Sequence, residues 1–219
     1  MPALQAGGYR FDPGRVHHKT PYRQKGETMS DDEKKEKENK SLSQELLEAR
    51  TILVSEEVSD KLARRVTAEV LVMDSKDDKS PITVYVNSPG GSADSGFAIY
   101  DILRYVKAPV RTVVSGLCAS AGVTIYLASP KERRFSTPNS RFLLHQPSSM
   151  AMGSASDIAI TAEEIVKLRE RYNQIVSDET GRSVEEITKD ADRDFWLSPG
   201  QALEYGLVGK VVTSITELG

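Results

Sequence analysis

Residues 82–106 read ITVYVNSPGGSADSGFAIYDILRYV, and this stretch decides the fold class. ITVYV, at 82–86, is β-branched and aromatic, the composition of a buried strand. Asn87-Ser88-Pro89-Gly90-Gly91-Ser92 breaks that run. From Ala93 to about Val106 the apolar residues recur at helical spacing, with Phe97, Ile99, Ile102 and Leu103 facing inward. Strand, glycine-rich turn and helix in direct succession form one α/β unit.

The same alternation extends in both directions. Upstream, TILV at 51–54 reads as a short strand, and Ser55 is expected to cap a helix whose first turn carries Glu56 and Glu57, followed by Val58, Leu62, Val66, Val70 and Met73 at helical spacing. Downstream come a strand at 110–115, a small-residue turn, a short apolar helix to about Ala128, and strands at 133–136 and 141–145. A long amphipathic helix over 156–177 aligns Ile158, Ile165, Leu168, Tyr172 and Ile175 on one stripe. Ser183 and Glu186 form a capping-box pattern, Ser198-Pro199 opens another helix, and Gly206 ends it before a strand at 208–213. This pattern is that of an α/β domain with mostly parallel pairing and no internal repeat.

Residues 1–45 differ in kind. Gly, Pro and basic residues give way to SDDEKKEKENK at 30–40, where charge leaves almost nothing to bury, so a flexible charged tail is expected before a folded domain at 46–219. Met29 offers a second possible start. The whole chain has 219 residues and a formal net charge of −3, which gives no electrostatic footprint for nucleic acid. No apolar run reaches the roughly 18–20 residues of a membrane span. One cysteine, Cys118, forms no intrachain disulfide, in keeping with a cytoplasmic location.

The chemistry-bearing residues are few. Of three histidines, His17 and His18 lie in the tail, so His145, at the end of the apolar strand RFLL, is the one available base in the domain. Cys118-Ala119-Ser120-Ala121-Gly122 places a serine at a strand-to-helix turn among tiny residues, where the hydroxyl can be exposed and the following amides can bind an anion. Tight packing of a helix start explains the same pattern equally well. Cys118 is a rival nucleophile, but nothing basic adjoins it, which suits a small buried thiol. The Gly90-Gly91 pair can turn backbone amides into a cleft, as an oxyanion hole requires, and the phosphate-binding patterns G-x-x-x-x-G-K-[ST] and G-x-G-x-x-G are missing. Asp190, Asp192 and Asp194 are three candidate acids. An acid that orients histidine should be partly buried, which favours Asp194 beside Phe195-Trp196-Leu197.

Together these segments resemble the proteolytic subunit of the Clp protease. The matches are NSPGGS at 87–92, GFAIYDIL at 96–103, CASAG at 118–122, HQP at 145–147 and DRDFWLSPGQALEYGLVGKV at 192–211, and they cover roughly Leu46 to Val212. Ser120 precedes His145 by 25 residues and His145 precedes Asp194 by 49, the order and spacing of the family. The resemblance implies a ClpP/crotonase-like fold, a spiral of β-β-α units with a protruding handle helix at about 148–180. It implies a serine endopeptidase with Ser120, His145 and Asp194 as nucleophile, base and orienting acid, and with the Gly91 and Ala121 amides as the oxyanion hole. It also implies heptameric rings, single or stacked as a double ring, that enclose a chamber for unfolded polypeptides. The subunit itself needs no cofactor or metal; ATP would be used by a partner unfoldase.

The sequence departs from the family pattern at two places. The usual apolar segment at the N-terminus is replaced by the charged tail, which bears on gating and on docking with the ATPase. Gln146-Pro147-Ser148-Ser149 lacks the glycine pair that commonly follows the proline. Both suggest a divergent paralogue. The rival readings are a non-catalytic subunit of a mixed ring, an acyl-CoA enzyme of the same fold, and a membrane peptidase that digests signal peptides. The last two lack support in a chain with a serine–histidine pair and no visible anchor.

Overall fold

The computed structural model describes residues 42–147 and 152–219. Strand β2 starts at Ile82 as expected but runs to Ser88, because past a register shift after Val86 the strand pairing resumes at Ser88 opposite Cys118, and β1 (Thr51–Val54) pairs with it in parallel. The other flank of β2 is β3, which runs from Val110 to Ala119, well beyond the expected 110–115. The extension is a change of partner. Thr112–Val114 pair with β4 (Arg134–Ser136), whereas Leu117–Ala119 pair with β5 (Arg141–Leu144), and Gly116, at φ 111°, lies between the two registers. Small residues that read as a turn are therefore strand.

Among the described residues seven strands form one sheet in the order β1-β2-β3-β4-β7, where β7 is Lys210–Val211 and β5 branches from β3. All pairs are parallel except β5 with β6 (Phe195–Leu197), a strand that the sequence pattern does not disclose. The strand expected over 208–213 shrinks to two residues, and at its start the buried Val208 donates its amide to Ala202 O (3.1 Å) instead of to a strand.

Helix α1, over 42–48, precedes β1 and packs Leu47 against the core, so the expected boundary near Leu46 falls inside an element. Most of the flexible tail expected at 1–45, and the first residues of the handle at 148–151, lie outside the described residues. Helix α2 spans Asp60–Lys76, not the segment after Ser55. Residues 55–58 stay out of the helix because Val58 is claimed by the glycine loop: its amide donates to Gly90 O (2.8 Å) and its carbonyl accepts from the Ser92 amide (2.8 Å). Ser59 is the cap, with its hydroxyl accepting from the Leu62 amide. Ser59→Ala should therefore destabilise the protein by about 1 kcal/mol in urea denaturation. Ser55→Ala should stay within about 0.5 kcal/mol of wild type.

Helix α3 (Ala93–Tyr105), capped by Ser92, buries Phe97, Ile99 and Leu103, with Ile102 half-buried. Helix α4 (Ala121–Tyr126) is short and fully buried. Helix α5 (Ala155–Thr180) is the long one, framed by a Ser154–Asp157 capping box and left-handed Gly181. Of its residues only Tyr172, Asn173 and Val176 are buried, all in the last third, and Ile158 is exposed where the stripe placed it inward. Up to Lys167 nearly every residue is exposed, so this part projects, whereas Leu168 already packs against the core. Helix α6 (Val184–Asp190) begins with the expected Ser183–Glu186 capping box, and α7 (Pro199–Tyr205) begins at the expected Ser198-Pro199, where Gln201 completes a capping box that the sequence reading did not single out.

The end of α5 is tied to the sheet by a buried charge cluster. The Arg134 side chain, only 1% exposed, donates to Ser129 O, Glu179 O and the Glu179 carboxylate. Arg104 and Tyr100 of α3 donate to the other Glu179 oxygen, at 2.6 and 3.1 Å. Burial and the adjacent Glu179 carboxylate push the Tyr100 phenol up to about 12.

Candidate active site

Three neighbouring strands end together, and their carboxyl ends carry the candidate residues. The loop Pro89–Ser92 leaves β2, Ser120 follows β3, and His145 follows β5. Pairing of Ser88 with Cys118 and of Ala119 with Leu143 sets these ends level. The antiparallel pair Leu144–Phe195 then puts Asp194 opposite His145. Two bonds hold this corner: the Gln146 amide donates to Ala191 O (2.9 Å), and Gln146 Nε2 donates to Asp192 O (3.0 Å).

Ser120 adopts φ 53° and ψ −124°, a conformation uncommon for a residue with a side chain. It stands at the N-cap of α4, yet its hydroxyl makes no capping bond and stays available. Its amide donates to Leu143 O at 3.0 Å, which fixes the turn. The rival nucleophile Cys118 is fully buried, and burial alone pushes its thiol far above the ordinary range. A thiol that neither ionises nor meets solvent is inert here.

The glycine pair lies directly on the serine. A Cβ on Gly90 would fall 2.6 Å from Ser120 Cβ, and one on Gly91 would fall 2.4 Å from Val58 O. Both residues have positive φ, 92° and 145°. Among the described residues no hydrogen bond engages the amides of Gly91 or Ala121. Gly91, Ser120, Ala121 and His145 line one cavity of about 470 Å³, whose apolar wall includes Phe97 and Leu168.

Asp194 stands apart from this arrangement. Its Oδ1 lies 3.6 Å from His145 Nδ1, beyond hydrogen-bond range, and its side chain is 64% exposed. The partial burial expected of the acid is not found in the single chain. Asp194 precedes a strand whose one partner among the described residues is β5, and no other described strand pairs beside it. Asp190 is engaged elsewhere, accepting from the Tyr205 hydroxyl at 2.9 Å. Glu57, assigned by its sequence pattern to the first turn of a helix, instead lines the cavity. Among the described residues no group of three or more His, Cys, Asp or Glu side chains is placed to hold a metal ion. No helix among them is long and apolar enough to cross a membrane.

Comparison with known proteins accords with this geometry. The sequence model of the Clp protease family matches residues 33–215. Proteolytic subunit 2 of the ATP-dependent Clp protease of Treponema denticola is 42% identical over 84% of this chain and 92% of its own length. The corresponding subunit 2 of Gluconobacter oxydans is 45% identical over 85% of this chain and 87% of its own length. A solved structure of a ClpP1 mutant from Listeria monocytogenes superposes with a TM-score of 0.75 at 42% identity, covering 81% of this chain and 99% of that one. The chain belongs to the Clp protease family and is a serine peptidase of the proteolytic-subunit type.

Proposed function

We propose that this chain cleaves unfolded polypeptides with Ser120 as nucleophile, His145 as general base and Asp194 as orienting acid. The observation that carries the proposal is the meeting of an uncapped serine hydroxyl, the domain's one histidine and two unengaged amides at one cavity. His145 takes the Ser120 proton as Oγ attacks the peptide carbonyl, and the amides of Gly91 and Ala121 hold the oxyanion. The imidazolium then protonates the leaving amine. Water, deprotonated by the same histidine, hydrolyses the acyl-enzyme and restores the serine. Asp194 fixes the imidazole tautomer once its 3.6 Å separation closes to bonding distance.

Self-association into rings, heptameric or doubled, is part of this reading. Ile158, Ile160 and Val166 expose apolar surface on the projecting part of α5, as a helix awaiting a partner would. The similar proteins are named ATP-dependent, whereas this sequence contains no nucleotide-binding glycine motif, so ATP use falls to an unfoldase partner. A non-catalytic role in a mixed ring is the second reading, favoured by the exposure of Asp194. His145→Ala distinguishes the two. Loss of nearly all fluorogenic-peptide hydrolysis, with native mass unchanged, supports catalysis; activity near wild type overturns it.

A further inference from the structure

We propose that Glu57 is a specificity-determining residue that favours substrates with a basic side chain close to the scissile bond. The inference rests on the peptidase reading above and concerns the same cavity. Because residues 55–58 are not helical and Val58 is bridged to Gly91, Glu57 is delivered onto the glycine loop. Its Cγ lies 2.9 Å from where a Cβ on Gly91 would stand, so its stem covers the glycine whose amide faces the oxyanion. The residue also lines the cavity that holds Ser120 and His145.

Besides Glu57 and His145, the residues that line the cavity carry no carboxylate and no basic side chain. The nearest other charges stand behind the lining: Asp194 lies 3.6 Å from His145 Nδ1, and Arg171 stacks on the Phe97 ring at 5.1 Å. The neighbouring acids are already engaged: Glu56 pairs with Arg65 at 3.0 Å, and Asp60 accepts from the Ser95 hydroxyl at 2.8 Å. Among the described residues Glu57 has no ion pair and no side-chain hydrogen bond. An unengaged carboxylate on the wall of the reaction cavity attracts an ammonium or guanidinium on the bound chain and repels a carboxylate. A solvent-accessible pair of this kind changes an equilibrium by about 1.4- to fivefold.

The test uses full-length assembled protein and fluorogenic peptides that differ only by Lys, Gln or Glu at each position flanking the cleaved bond. The readout is the ratio of kcat/KM between peptides within one preparation, which is insensitive to the fraction of folded enzyme. At one or more positions the wild type should prefer Lys over Gln by about 1.4- to fivefold and disfavour Glu, with the preference shrinking as salt is added. Glu57→Gln should bring these ratios close to one, and Glu57→Lys should reverse their order. A wild type without charge preference, or ratios unchanged in Glu57→Gln, overturns the role of Glu57 while leaving the peptidase reading intact. A wild type that cleaves none of the peptides overturns both.

Discussion

Ser120→Ala should lower peptide hydrolysis by at least about 10⁴-fold while leaving the fold and the assembly as they are. The magnitude follows from removing the atom that forms the acyl bond; the oxyanion amides and the cavity alone retain only a small residual acceleration. The expected tolerance follows from local structure. The Ser120 hydroxyl makes no capping bond to α4, so the alanine variant forfeits no structural contact of that oxygen. The backbone strain at φ 53° is the same for both residues, because each carries a Cβ. Native mass and thermal unfolding of the variant should match wild type. Activity near wild type would remove Ser120 from the chemistry.

Glu179→Ala should be the most destabilising single change in the domain among those considered. It leaves Arg134, 1% exposed, with a buried charge and no carboxylate, and deprives Arg104 and Tyr100 of their acceptor. Stranding one partner of a buried pair costs about 3–5 kcal/mol. For a domain of this size that is a fall in Tm of about 6–20 °C. The double variant Glu179→Leu with Arg134→Met should recover much of the loss, since two apolar side chains leave no charge unpaired. The cluster joins α3, β4 and the base of α5, so the single variant should also loosen the handle, visible as faster amide exchange over 172–180. Full stability of Glu179→Ala would mean that Arg134 finds another acceptor.

What could be read from the sequence was what nearby residues determine. Ser183, Ser198 and Gly206 each frame a helix through contacts a few residues away, and all three do so in the structure. The core positions Phe97, Ile99, Leu103, Val66 and Val70 follow from spacing alone. The misread segments depend on distant partners. Ser55 and Ser59 are equally good caps by composition, and Val58, held by Gly90 and Ser92 more than 30 residues away, decides between them. Strand β6 exists because β5 pairs with it, and the second half of β3 exists for the same reason. The candidate site divides along that line too. Scarcity singled out His145, and small residues marked Ser120, but their meeting with Gly91 depends on strand register. The exposure of Asp194 is invisible to any local pattern, since it depends on how the described strands pair, with β6 bonded to β5 alone among them.

The most direct measurement of the central claim is labelling of the assembled protein with a fluorophosphonate probe, followed by mapping of the adduct by peptide mass spectrometry. Such a probe reacts with a serine whose hydroxyl is activated by a neighbouring base and whose oxyanion hole is formed. A single adduct on Ser120, strongly reduced in His145→Ala, is the predicted result. Absence of an adduct on Ser120 in assembled wild-type protein, or an adduct at another residue instead, would contradict it.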